Sequence, residues 1–291
     1  MEISTLNRIA CFFMAIAAFT FAACDDDNNN DPDPSSDDPL IGKYEVTNSD
    51  LYRTIELTEG GNYIITLFSD DFPETSSSSI RQDAVRKSPA GRSIFGGKKA
   101  VSRADEDRQV LYGTYTRKQE NVYLLVGFGT LEATYDNTTV TAFRLTPDGE
   151  SPVQLTVDKE DTYTSDKPTN KLCRTWNIIS MREVLYLNGE VVTDKTVTPY
   201  DPEAELAKQV LFSKAGTYLL SWLDGSAECA NWKWKSQSDW TISYSFDDEW
   251  YENAWASLKF SGEKLTIIED QEIDADVADS SHMETLLQAA D

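Results

Sequence analysis

Beyond residue 40, apolar residues recur at every second position in short runs broken by turn residues. That period places one face of a strand on a core and the other in water. In residues 62–68, Tyr63, Ile65 and Leu67 share one face, and a second apolar set occupies the other. Residues 110–116, 121–128, 139–145 and 153–157 continue the series, separated by Asp136-Asn137 and Pro147-Asp148-Gly149. Asn188-Gly189, set between Leu185-Tyr186-Leu187 and Glu190-Val191-Val192, predicts a hairpin, because Asn-Gly takes the positive φ angles of a type I′ turn. Trp240, Ile242, Tyr244 and Phe246 alternate with Thr241, Ser243 and Ser245, which predicts a half-buried strand. Helix signals are few. Asp201-Pro202-Glu203 suits the start of a short helix, and Ser281 to Glu284 has capping-box spacing before Leu286 and Leu287. Many short strands with polar turns predict an all-β sandwich or barrel.

The pattern runs twice. Gly42-Lys43-Tyr44-Glu45-Val46 opens the first half, and Cys173-Arg174-Thr175-Trp176-Asn177-Ile178 opens the second. Each is followed by a glycine-led strand, Gly61-Asn62-Tyr63-Ile64-Ile65-Thr66 and then Gly216-Thr217-Tyr218-Leu219-Leu220-Ser221. Leu155-Thr156-Val157 and Leu265-Thr266-Ile267 are the corresponding closing strands. This order resembles the lipocalin-like domains of Bacteroidota surface lipoproteins. The resemblance implies two tandem antiparallel β-barrels, over residues 40–164 and 172–272, each able to bind a small apolar or amphipathic ligand. The polar, proline-bearing stretch 165–171 reads as a linker with some interdomain freedom. Residues 273–291 read as an acidic tail with a short helix.

The N-terminus gives an address. Arg8 precedes an apolar run over 9–21 that is short for a bilayer span, and small residues lead into Cys24. This resembles a lipobox, so residues 1–23 are expected to be a signal peptide and Cys24 the lipidated residue. Acyl chains at roughly 0.8 kcal/mol per buried CH2 would anchor it durably. A plain secretory signal is the alternative. Residues 24–39 read as a disordered tether, since 25–38 carry like charge and prolines but nothing apolar. Asp25, Asp26 and Asp27 directly after the cysteine resemble a surface-export signal, implying the outer face of the outer membrane. A calcium loop fails here, because Pro32 stands where an EF-hand needs glycine.

Charge and cysteines narrow the partners. Against 26 Lys and Arg stand 50 Asp and Glu, a net charge of -24, which repels nucleic acid. Beyond the signal and the lipidation site, Cys173 and Cys229 remain, either as a disulfide or as two separate thiols. Neither has the spacing of a metal site, and no cofactor is expected. One segment, 69–107, lacks alternation and is locally basic through residues such as Arg81, Arg86, Lys87, Lys98 and Lys99, so it reads as a flexible insertion.

Catalytic signatures are sparse. His282 is the sole histidine, which excludes Ser-His-Asp and Cys-His machinery, and Gly96-Gly97-Lys98 lacks the rest of a phosphate loop. The acidic cluster Asp247, Asp248, Glu249 and Glu252 has the residue types of a glycosidase pair but reads as a solvated loop. The expectation is a binding protein and not an enzyme. All seven tryptophans lie in the second half. Trp232, Trp234 and Trp250, in polar surroundings, are the candidates for exposure and for stacking on sugar rings. Tyr218 and Trp240 would line an apolar cavity if the barrel stays open. Small-ligand binding, glycan capture and a ligand-free interaction protein are thus the readings to separate.

Overall fold

The computed structural model describes residues 38–68, 108–163, 165–201, 204, 206–246, 249–275 and 278–290. Cys24, Asp25, Asp26, Asp27 and the 69–107 insertion lie outside the described residues, as do Pro202, Glu203, Asp247 and Asp248.

Two closed antiparallel barrels follow one another along the chain. The first is an up-and-down ring of β1 (Gly42–Val46), β2 (Tyr52–Leu57), β3 (Asn62–Phe68), β4 (Arg108–Gln119), β5 (Val122–Leu125), β6 (Gly129–Asp136), β7 (Thr139–Pro147) and β8 (Val153–Lys159). Pairing of Val46 with Val157 closes it. The second begins with the short helix α1 (Lys167–Leu172) and β9 (Thr175–Leu187), whose hairpin partner β10 (Glu190–Val197) stands outside the ring. The ring continues through β11 (Gln209–Phe212), β12 (Thr217–Ser221), β13 (Ala227–Ser236), β14 (Thr241–Ser245), β15 (Trp255–Ser261), β16 (Lys264–Ala275) and β17 (Ala278–Ala289). Leu287 opposite Ile178 closes this one. Full closure leaves each ring without an open edge.

The turn chemistry matches the expected hairpin. Asn188 and Gly189 take φ of 53° and 79° between β9 and β10. The two glycine-led strands also repeat one hydrogen-bond scheme. At Gly61 (φ 71°), Thr58 N–H donates to the Asn62 carbonyl and Tyr115 N–H to the Gly61 carbonyl. At Gly216 (φ 78°), Ser213 N–H donates to Thr217 and Trp232 N–H to Gly216. The opening strands agree as well. Tyr44 Oη donates to the Leu40 carbonyl at 3.1 Å, and Trp176 Nε1 to the Leu172 carbonyl at 2.9 Å. In both barrels the leucine four residues upstream is wholly buried.

Several expectations are corrected. The segment 278–289 is strand β17 and not a helix, so the second barrel extends beyond residue 272. Ser281, Met283, Thr285 and Leu287 alternate inward there, and the two polar members hid the period. The linker is not loose. Asp166 caps α1 by accepting from Thr169 N–H at 2.9 Å, and Leu172 is wholly buried. Glu160 N–H reaches the Lys43 carbonyl and Tyr163 N–H the Lys214 carbonyl, tying the connection to both barrels. Asp38, placed in the tether by composition, is buried, and its two carboxylate oxygens accept from Tyr123 Oη at 2.9 and 2.8 Å. Cys173 and Cys229 are not joined: Cys173 ends α1, whereas Cys229 sits mid-strand opposite Leu219.

The outer faces of β3, β11, β12 and β13 meet in an apolar cluster of Ile64, Leu211, Leu219 and Cys229, flanked by Val110 and Tyr112 of β4. This explains the second apolar set of β3 and the unbroken burial of β12, since both are covered on two sides. Lys214 adds an ion pair to Glu59 across the junction at 2.6 Å.

Candidate functional site

The barrel interiors are filled by side chains. In the first, Tyr44 packs edge-on to Phe143 with ring centroids 4.9 Å apart, and Tyr115 meets Tyr123 at 5.9 Å. In the second, Trp232 contacts Phe212, Trp234 and Tyr163, while Trp176 contacts Phe260. Tyr218, 0% exposed, stacks on Phe212. Toward another part of the same interior, Tyr244 Oη donates to buried Glu269 at 2.7 Å and receives Gln271 Nε2 at 3.2 Å. Burial and the Glu269 charge hold the Tyr244 phenol well above its ordinary range, so it stays a donor.

The tryptophans expected on the surface divide. Trp232 and Trp234 do share a face, but that face points inward: Trp232 is 1% exposed and donates Nε1 to the Ser213 carbonyl at 3.0 Å. Trp234, half-buried, donates to Thr169 Oγ1 at 3.2 Å, which fastens α1 to the barrel. The alternation Trp-Lys-Trp-Lys held the signal, because a half-buried strand turns its lysines outward. Trp240 is not a strand residue. It sits at φ 54° in the β13–β14 turn, half-buried against the core, and packs edge-on to Phe260 at 4.9 Å.

Trp250 alone of the three is exposed, at 41%. Its ring lies under Lys233, with Nζ 3.9 Å from the centroid. Lys233 is in register with Ser243, and Ser243 with Trp255 on the next strand. Lys235 Nζ stands 4.5 Å over the Trp255 ring. Trp250, in the loop before β15, and half-buried Trp255, at the start of β15, thus form an outward ridge with Lys233 and Lys235 of β13. Trp255 had carried no separate sequence signal, since its role depends on register across two strands.

His282 faces outward on β17, with Nδ1 2.7 Å from Asp270. Among the described residues, no group of three or more His, Cys, Asp or Glu is placed to hold a metal, and no helix is long and apolar enough to cross a membrane. Burial pushes the Cys173 thiol far above its ordinary value, leaving it a poor nucleophile. The chain matches no protein-family model and no curated protein.

Proposed function

We propose that this chain is a non-catalytic lipoprotein, anchored through Cys24 at the outer face of the outer membrane, whose lipocalin-like barrels form a rigid scaffold for capturing a saccharide. One observation carries the choice of ligand. Both interiors are packed with aromatic side chains, while Trp250 and Trp255 are turned outward beside two lysines. An apolar ligand inside the second barrel would have to displace Trp176, Trp232 or Tyr218, each of which is fully buried. On the ridge, the indole faces suit the CH surface of a sugar ring. Cation–π attraction at an exposed site is about 0.5–1 kcal/mol, weak enough for a ligand carboxylate to draw a lysine aside. The favoured ligand is therefore an acidic saccharide, held against an otherwise acidic protein.

The test is native mass spectrometry and calorimetry of the purified protein with uronic-acid oligosaccharides, neutral oligosaccharides and lipids. Acidic oligosaccharide binding that falls at least tenfold in Trp250→Ala/Trp255→Ala is the expected result. A lipid adduct, or saccharide binding indifferent to both tryptophans, would overturn the reading.

A further inference from the structure

A cleft of about 170 Å³ lies between the barrels. Cavities of roughly 150 Å³ accept a six-membered ring, so one sugar-sized ring fits. β2 and β3 supply Thr54, Glu56, Ile64 and Thr66, while β12 and β13 supply Thr217 and Asn231. Glu56 is the buried charged group of this cleft, at 2% exposure.

Within the described residues, no cation lies at ion-pair distance from the Glu56 carboxyl. Lys43 faces the same cleft but is paired with Glu160 at 3.3 Å. Thr54 and Thr66 hydrogen-bond each other at 2.6 Å. The Ser213 and Thr217 hydroxyls both stand close enough to favour a charged Glu56, yet Thr217 Oγ1 makes no well-aligned hydrogen bond of its own. A buried carboxyl thus faces the cavity without a cation, beside a buried hydroxyl left without a partner, which is costly. Sign selects that partner. Lys43 and Arg53 are outnumbered in the lining by Glu45, Glu56 and Glu160, and the chain carries a net charge of -24. Anions are disfavoured there and cations drawn in.

We propose that the interbarrel cleft binds a small ring ligand bearing a primary ammonium group, with the ammonium on Glu56 and Thr217. An ammonium brings three donors and no acceptor, the complement of a carboxylate beside a hydroxyl. Ile64 and Cys229 give the ring an apolar wall, and Asn231 a polar one. The site is separate from the Trp250–Trp255 ridge and does not depend on what the ridge binds.

The cleft is also proton-linked. Burial raises the Glu56 pKa; Ser213, Thr217 and Lys43 oppose that, and Glu160 adds to it. Arg53 and Glu45 line the same space, and the Cys173 thiol senses Glu56 from the α1 side. A bound ammonium favours the carboxylate, so uptake expels a proton from whatever fraction of Glu56 is protonated.

Calorimetric titration of the purified protein with glucosamine, glucose and N-acetylglucosamine tests this. Glucosamine should bind at least tenfold more tightly than either neutral ring, and more weakly as pH falls through the range where Glu56 protonates. Glu56→Gln should cost at least tenfold and Thr217→Val severalfold, with thermal unfolding confirming that both variants fold. Trp250→Ala should leave the affinity unchanged. Equal affinity for the three rings, no binding, insensitivity to Glu56→Gln, or loss in Trp250→Ala would each overturn the proposal, whereas loss of acidic saccharide binding alone would touch only the ridge.

Discussion

The two barrels make one set of backbone bonds and fill it with different chemistry. Where the second barrel uses Trp176 and Trp232, the first uses Tyr44 and Tyr115, and all four direct a side-chain donor at a carbonyl of the strand ends. Tyr115 Oη reaches the Thr58 carbonyl at 2.9 Å, as Trp232 Nε1 reaches Ser213 at 3.0 Å. What the repeat keeps is therefore the accounting of buried carbonyls at the Gly61 and Gly216 turns, not the aromatic that does it. The difference lies in how much apolar area each donor brings. Tryptophan lets the second barrel bury a larger core, and that barrel also carries α1, the β10 extension and the outward ridge.

The largest expected effect tests that contrast. Trp232→Ala removes a fully buried indole together with the donor to Ser213, and should cost about 3–5 kcal/mol. Because every tryptophan lies in the second half, intrinsic fluorescence during denaturant unfolding follows this barrel selectively. Hydrogen exchange at β2 and β3 follows the other. A loss in fluorescence midpoint with unchanged β2–β3 protection would mean the barrels unfold separately. Matched losses would mean the Ile64–Leu219 junction couples them.

A second test uses Glu56, a carboxyl that the first barrel buries against the second. Glu56 has its folded-state pKa raised, mainly by burial, so the folded protein holds this proton more tightly than the unfolded chain. Its contribution is full below the ordinary carboxylate pKa and is lost as pH rises through the raised one. Stability of the wild type measured relative to Glu56→Gln should therefore fall as pH climbs above the ordinary carboxylate range. A flat difference between the two pH profiles would show that the carboxyl is ionised in the fold at no cost.

Much of this architecture is legible in the sequence, and the parts that are not share a physical cause. Asn188-Gly189 and the Gly61 and Gly216 repeats were legible because turn chemistry is local. The inward face of β17 was not, since Ser281 and Thr285 are buried polar residues that only the closed barrel requires. In β13 the shared face of Trp232 and Trp234 is legible but its inward direction is not, because a polar neighbourhood in sequence is not a polar one in space. The ridge needed cross-strand register to find Trp255 beside Lys235. Glu56 had no signal, since it is buried not by its own barrel but by the outer face of another. Residues 165–171 gave a true helix start at Asp166 with a following proline, but its polar composition spoke louder.

The smallest effect separates donor from bulk. Tyr115→Phe keeps the ring and its contact with Tyr123 but removes the hydroxyl that reaches the Thr58 carbonyl. One net hydrogen bond is about 1 kcal/mol, so the variant should lose about that much by hydrogen exchange at β2 and β3. If the shared backbone scheme sets the stability of both barrels, this loss should be well below that of Trp232→Ala, the excess there being apolar area. A Tyr115→Phe loss as large as that of Trp232→Ala would mean that the carbonyl contact itself, and not the packed volume, holds each barrel shut. The greater size of the tryptophan core would then be a feature of the second barrel's surface functions alone.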